Sequence, residues 1–284
     1  MATRRTRLIC LTALAALAAL AALCASLVSA GTALATTETA RSGDVSASFS
    51  FTGSPPTVTD QRLEIVNAGQ VLYNQPVSSP QCGALCGPGA LGSHASSVRV
   101  LDLEIGGPPD VVLELFTGGA NCCFVDQVFS LEPGRMTYVK TERDFVNAGA
   151  SIKRLVPGGS LLFVSADPVF DYAFTDGADS AEPIQIWSFS ARHFSNVTRL
   201  YPKQIAADAS RWLALFRHHL SNGVGLIAAW AGDEELLGHN KLVQSTLASE
   251  ARDGDLRTGT NPLPGGTKFV AALNRLLRRY GYLR

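Results

Sequence analysis

The chain has 284 residues, 46% of them hydrophobic, and its 24 lysines and arginines are matched by 24 aspartates and glutamates. That length allows one large or two medium domains, and the apolar content is ample for a buried core, which excludes a disordered chain. The zero net charge leaves no whole-chain basic field, so no nucleic-acid partner is expected.

Arg4, Arg5 and Arg7 precede an apolar stretch from Leu8 to about Val28, and Ala33-Leu34-Ala35 supplies an A-x-A cleavage site. This is the layout of a secretory signal peptide, assigned to residues 1–35, with the mature protein starting near Thr36 in an extracellular location. The apolar run is close to the ~20 residues that span a bilayer, so an uncleaved N-terminal anchor is the alternative. A membrane enters the account only in that case. Cys10 and Cys24 would leave with the signal, and Cys82, Cys86, Cys122 and Cys123 would remain. An even number of cysteines in an exported protein reads as two disulfides.

From about Val45 to Val197 the pattern is strand-like. "VSASFSF" alternates small polar with larger apolar residues, and "RLEIVNAGQVLYNQPV" is two alternating runs around Asn67-Ala68-Gly69, a hairpin signal. Residues 81–97 are rich in Gly, Ser and Pro and read as a loop. "VRVLDLE" and "DVVLELFT" predict strands joined by "IGGPP". "CFVDQVFSL" and "RMTYVKTE" flank Glu132-Pro133-Gly134, a second hairpin signal. "SLLFVSADP" and "PIQIWSFS" follow, the latter expected to pair with "FSNVTRLY". Consecutive strands with short turns imply a mainly antiparallel meander.

After Pro202 the period changes to that of helices. Ile205, Ala209, Trp212, Leu213, Phe216 and Leu220 share one apolar face, and Pro202 suits a first turn. "VGLIAAWA" and "EELLGHNKLVQSTLASEA" are helical in composition, with Asp233 as the expected N-cap between them. In the last helix Thr267 is the expected cap and Phe269, Val270, Leu273, Leu276, Leu277 and Tyr280 line one face. Lys268, Arg275, Arg278 and Arg279 form a solvated face that complements the helix dipole. The expected fold is therefore α+β. A β-rich domain over 36–200, built as a small twisted sheet or a partial propeller or barrel, precedes an α-helical region over 201–284.

The segment "VRVLDLEIGGPPDVVLELFTGGANCCFVDQVFSL" resembles the FG-GAP/VCBS-type repeat of extracellular β-propellers. It is more closely similar to a group of secreted bacterial proteins with a GGAxCC motif. In that repeat an acidic loop of the form D-x-D-x-D-G-x-x-D binds calcium. Asp102, Glu104, Gly106, Gly107 and Asp110 stand at its first, third, fifth, sixth and ninth places. The resemblance thus implies a calcium site of Asp102, Glu104 and Asp110. Gly106 removes one carboxylate, so the implied affinity is weak, in the ~10⁻⁴–10⁻³ M range of extracellular modules or below it. The same Gly-Gly-Pro-Pro chemistry also makes a plain β-turn with no cofactor. The close match covers only about 30 residues, and a second strong copy is missing.

Cys82 and Cys86 have the spacing of half a zinc site, but neighbouring Cys122 and Cys123 do not supply the other half. Two bridges tying the 82–86 loop to the 122–123 strand end are the favoured pairing. Each would close about 35–40 residues, worth about 3–4 kcal/mol. No G-x-S-x-G elbow, H-E-x-x-H or P-loop occurs. Ser93-His94 reads as a loop pair, His218-His219 as a helix end, and Trp187 with Phe189 as core packing. Asn196-Val197-Thr198 fits a glycosylation sequon. The favoured function is a secreted, non-catalytic binding or surface-associated protein with an unidentified extracellular ligand. The alternatives are an extracellular hydrolase using acids such as Asp102, Asp110 and Asp126, and a structural envelope protein held by its N-terminal segment.

Overall fold

The computed structural model describes residues 35–54, 57–83, 86–89, 96–119, 122–132, 134–218, 223–257 and 264–283. The signal or anchor expected over residues 1–35 lies outside them except for Ala35, and Ser93-His94, Pro133, His219 and the side chain of Cys122 lie outside them as well. No helix among the described residues is long and apolar enough to cross a membrane.

Three antiparallel sheets follow one another along the chain. The first holds β1 (Ala35–Ser42), β2 (Val45–Ser54), β3 (Thr57–Asn67) and β4 (Gln70–Pro76), in chain order. In β2 the alternation read from sequence is kept in space. Val45, Ala47, Phe49 and Phe51 are buried and the serines between them are not. Asn67 pairs with Gln70, leaving Ala68 (φ 49°) and Gly69 (φ 79°) as the turn. Positive φ at both central residues is the type I′ geometry that matches strand twist.

The second sheet holds β5 (Gly87–Pro88), β6 (Val98–Leu101), β7 (Asp110–Gly119), β8 (Cys122–Glu132) and β9 (Thr137–Val146), with β5 and β6 both pairing along β7. The third holds β10 (Ser151–Arg154), β11 (Leu161–Ala166), β12 (Ile184–Ser190) and β13 (His193–Asn196). The hairpin expected between "PIQIWSFS" and the segment after it is present, with Phe189 paired to Phe194.

The middle sheet is buried on both faces, which explains why "DVVLELF" reads as a nearly continuous apolar run. Val111, Leu113, Leu115, Val125 and Phe129 pack with Phe49, Leu63 and Ile65 of the first sheet. On the opposite face Val112, Val128 and Phe145 pack with Phe163, Phe189 and Phe194 of the third. Trp187 packs against this second core, as its alternation with Phe189 required. The β region is thus three antiparallel meanders packed in chain order, and among the described residues it closes into no barrel.

The helices come last: α1 (Pro202–His218), α2 (Val224–Leu236), α3 (Asn240–Asp253) and α4 (Gly266–Arg279). Pro202 takes the first-turn position, and α4 buries Phe269, Leu273 and Leu277. The four helices share a core with Phe170 and Phe174, contributed by the β11–β12 connection. Strands and helices together belong to one compact unit, Thr36–Arg284.

Several expectations need correction. Asp233 caps no helix. It lies inside α2, which runs unbroken from Val224 to Leu236, and its carboxyl bonds β12 instead. Thr267 is not the cap of α4, which starts at Gly266 after Gly265 without a side-chain capping bond. The 81–97 loop contributes the short strand β5, and a strand, β1, precedes Val45. The expected cross-bridges are also overturned, because Cys82 is joined to Cys86. Both side chains enter the first core with their Cα atoms 5.2 Å apart, within bridging range. Cys123 is disulfide-bonded too, so its partner is neither of these two.

Candidate functional site

The densest group of perturbed polar side chains lies where the third sheet meets the helices. β11 ends at Ala166, and Asp167 opens the connection that returns at Ile184. One Asp167 carboxylate oxygen accepts the Val169 N–H at 3.2 Å, capping a 3₁₀ turn over Pro168–Phe170. The other accepts the Tyr282 hydroxyl at 2.6 Å, tying the segment after α4 to the sheet. The connection then lies directly on α2, and two glycines seven residues apart on that helix permit it. A Cβ on Gly225 would come 2.5 Å from the Asp179 carbonyl oxygen, and one on Gly232 2.5 Å from Pro183 Cγ.

Close packing at Gly232 brings the next residue, Asp233, to the start of β12. Asp233 is 0% exposed, and its Oδ1 accepts the Ile184 N–H at 3.2 Å. Its other oxygen, Oδ2, is buried and takes no hydrogen bond among the described residues. Burial first, then the negative charge of Asp208, push Asp233 up to about 10. At neutral pH it is therefore a neutral acid. Asp208 in turn accepts from Arg211 at 2.6 Å and from the Trp212 indole at 3.0 Å, while the Arg211 guanidinium stacks on that indole at 3.6 Å.

Beside this pair opens a cleft of about 360 Å³ whose walls include Asn147, Asp171, Glu182, Asp208, Arg211 and Trp212. Three carboxyls and one arginine line it, and Arg211 is paired with Asp208. Asp171 Oδ1 and Glu182 Oε2 are buried and take no hydrogen bond among the described residues. Burial, reinforced by the charges of Asp171 and Asp167, raises Glu182 to about 7. Buried carboxylate oxygens without donors are costly, and such perturbed groups in a cleft mark a candidate ligand site. A second cleft, about 490 Å³, lies on the other side of Ile184 between β12–β13 and the chain after α4. Its polar groups are largely committed. Arg199 donates to the carbonyls of Leu236 and Gly281, and Asn196 Oδ1 accepts both the N–H and the hydroxyl of Thr198. The sequon is thus folded into a local turn.

The residues singled out from sequence fall elsewhere. Asp102 is exposed. Glu104 accepts the Ala191 N–H at 2.6 Å, and Asp110, buried, accepts the Ser130 hydroxyl at 2.5 Å. Glu104 and Asp110 do share a cavity of about 300 Å³ with Arg192. Burial raises Asp110 to about 6, with Glu104 and Asp102 adding to the rise against the Ser130 hydrogen bond. Among the described residues no group of three or more His, Cys, Asp or Glu is placed to hold a metal ion. Asp126 is not assembled with Asp110. In the β7–β8 ladder Asp110 lies beside the Val111–Phe129 pair while Asp126 faces Glu114. Asp110 and Asp126 are thus about four residues apart along the ladder, roughly 13 Å.

Sequence reasoning missed Glu182, Asp208 and the role of Asp233. One signal was present: Asp233 follows the apolar run "VGLIAAWAG", where an acid is more costly than at a helix start.

No family model matches the chain, and no solved structure matches it. Among curated proteins it is similar to a probable thylakoid lumen protein of Synechocystis, at 26% identity over 148 residues. The match covers 50% of this chain and 44% of that protein, so it spans less than half the relative's length.

Proposed function

We propose that the chain is an exported, non-catalytic binding protein whose cleft beside α1 takes a positively charged organic group such as a lysine side chain. The observation that carries this reading is the pair of oxygens, Asp171 Oδ1 and Glu182 Oε2, buried without donors among the described residues in two side chains that line the cleft. An ammonium offers three N–H donors and one compact charge, and the Trp212 ring gives its methylene stem an apolar wall. Export is supported by the N-terminal signal pattern, by the Cys82–Cys86 disulfide and by the likeness to a lumenal protein. The likeness to FG-GAP-type repeats is retained within this reading as a proposal about ancestry, resting on the residues of the β6–β7 segment. The acidic β6–β7 turn is taken as structural, with no cofactor.

Calorimetric titration of the mature protein with a lysine-containing tripeptide tests the reading. Binding is expected, with loss of binding when the lysine is Nε-acetylated and at least a tenfold loss in Glu182→Gln or Asp171→Asn. Equal affinity for both peptides would overturn it.

Glu182 also favours a second reading, an extracellular hydrolase. A carboxyl that stays protonated near neutrality beside another acid is the arrangement of a general acid. Turnover of chromogenic glycosides or esters that disappears in Glu182→Gln would replace binding by catalysis.

A further inference from the structure

The middle sheet carries a polar row outside the cleft, on the face that meets the third sheet. Glu114 on β7 stands opposite Asp126 on β8, and Asp126 stands opposite Arg143 on β9. Asp126 is 1% exposed, and neither of its carboxyl oxygens has a hydrogen-bond partner among the described residues. Arg143 does not answer it. The guanidinium sits 3.2 Å from the centroid of Trp187 and 5.4 Å from that of Phe145, its Nε is unpartnered, and it makes no ion pair among the described residues. Trp187 belongs to β12, so this stack is a contact between the second and third sheets.

We propose that Asp126 and Arg143 are a latent ion pair: loss of the Asp126 proton draws the guanidinium off Trp187 and across to β8, loosening the contact between the two sheets.

The surroundings support a single direction of response. An isolated carboxylate cannot remain uncompensated at this depth, so once ionised it must recruit a cation. Across the row there are two. Arg99 on β6 already lies 3.8 Å from Glu114, whose own charge opposes ionisation of Asp126. Arg143 is in cross-strand register with Asp126 and its guanidinium rests on aromatic faces, a contact whose loss a buried charge-assisted pair outweighs once Asp126 is charged. Asp144, next to Arg143, and Asp167, on the third-sheet side, also bear on Arg143. Trp187, Phe163, Phe189 and Phe194 bring no charge from the facing sheet. Burial, with Glu114 adding to it and Arg99 opposing, raises Asp126 to about 8, so the response is set for mildly alkaline pH.

The test is a pH titration of intrinsic fluorescence on the mature protein, with Trp187→Phe subtracted to isolate the Trp187 signal. A transition near pH 8 is expected in the wild type and none in Asp126→Asn, an isosteric change. No transition in the wild type, or one that survives in Asp126→Asn, overturns the proposal. Should Asp126→Asn fail to fold, carbon-detected NMR of the wild type reads the same event. The Asp126 carboxyl and the Arg143 Nε–H signals are expected to titrate with one midpoint, and an Arg143 signal that stays flat while Asp126 titrates is the contrary result.

Discussion

Asp233 Oδ1 accepts the backbone N–H of Ile184 at 3.2 Å, joining the interior of the most deeply buried helix to the first residue of β12. The acid that makes this bond is kept neutral, and it is one of several. Asp110 is raised to about 6, Glu182 to about 7, Asp126 to about 8 and Asp233 to about 10, with burial the main cause in each.

Stability is therefore expected to fall as pH rises. Each of these acids has a folded-state pKa above its unfolded value of about 4, so between the two the folded chain binds more protons than the unfolded one. The stabilising contribution is fully present near pH 4 and is lost progressively as pH rises through each folded value. A tenfold difference in proton affinity between the two states corresponds to about 1.4 kcal/mol. Melting temperatures measured from about pH 5 to about pH 9 should decline steadily, and Asp233→Asn should flatten the decline. A stability maximum on the alkaline side of neutrality would contradict this.

The Cys82–Cys86 bridge closes a loop of only about five residues, so its chain-entropy contribution is about 2 kcal/mol, not the roughly 4 of a 40-residue loop. Urea unfolding of Cys82→Ser with Cys86→Ser should lower stability by about that amount without loss of folding. Non-reducing peptide mapping should find the two cysteines linked to each other.

Gly232→Ala should destabilise although alanine is the better helix former by about 1 kcal/mol. The new methyl would meet Pro183 Cγ at 2.5 Å and Phe170 Cζ at 3.0 Å, both held in a packed region. A net loss of about 1–3 kcal/mol is expected by denaturant titration, since overpacking of this kind forces backbone shifts.

Millimolar calcium should leave the melting temperature unchanged, because Glu104 and Asp110 already accept hydrogen bonds from Ala191 and Ser130. A rise of several degrees that Asp110→Asn abolishes would restore a calcium loop to the β6–β7 turn.

The order of strands and helices was legible because it rests on local periodicity. The serines of β2 alternate with buried residues, and α4 repeats its apolar face every three or four residues. Asp233 was misread because "GDEEL" looks like a helix start. In the structure α2 runs through it, with Gly232 packed closely against Pro183 and Phe170. The cleft was not legible at all. Asp171, Glu182 and Asp208 are brought together by the glycines of α2 acting at a distance in sequence, and no spacing rule encodes that. The disulfide was misassigned for a related reason. Four cysteines allow three pairings, and the sequence does not single out the Cys82–Cys86 pair that the structure joins.

The cleft's occupancy by a cation is tested most directly at the carboxyl of Glu182. Carbon-detected NMR near neutral pH should show its signal move toward the ionised position, together with that of Asp171, as the lysine tripeptide is added. The acetylated peptide should leave both unmoved. Saturable binding of the lysine peptide with the Glu182 and Asp171 signals unchanged would place the ligand elsewhere and contradict the account.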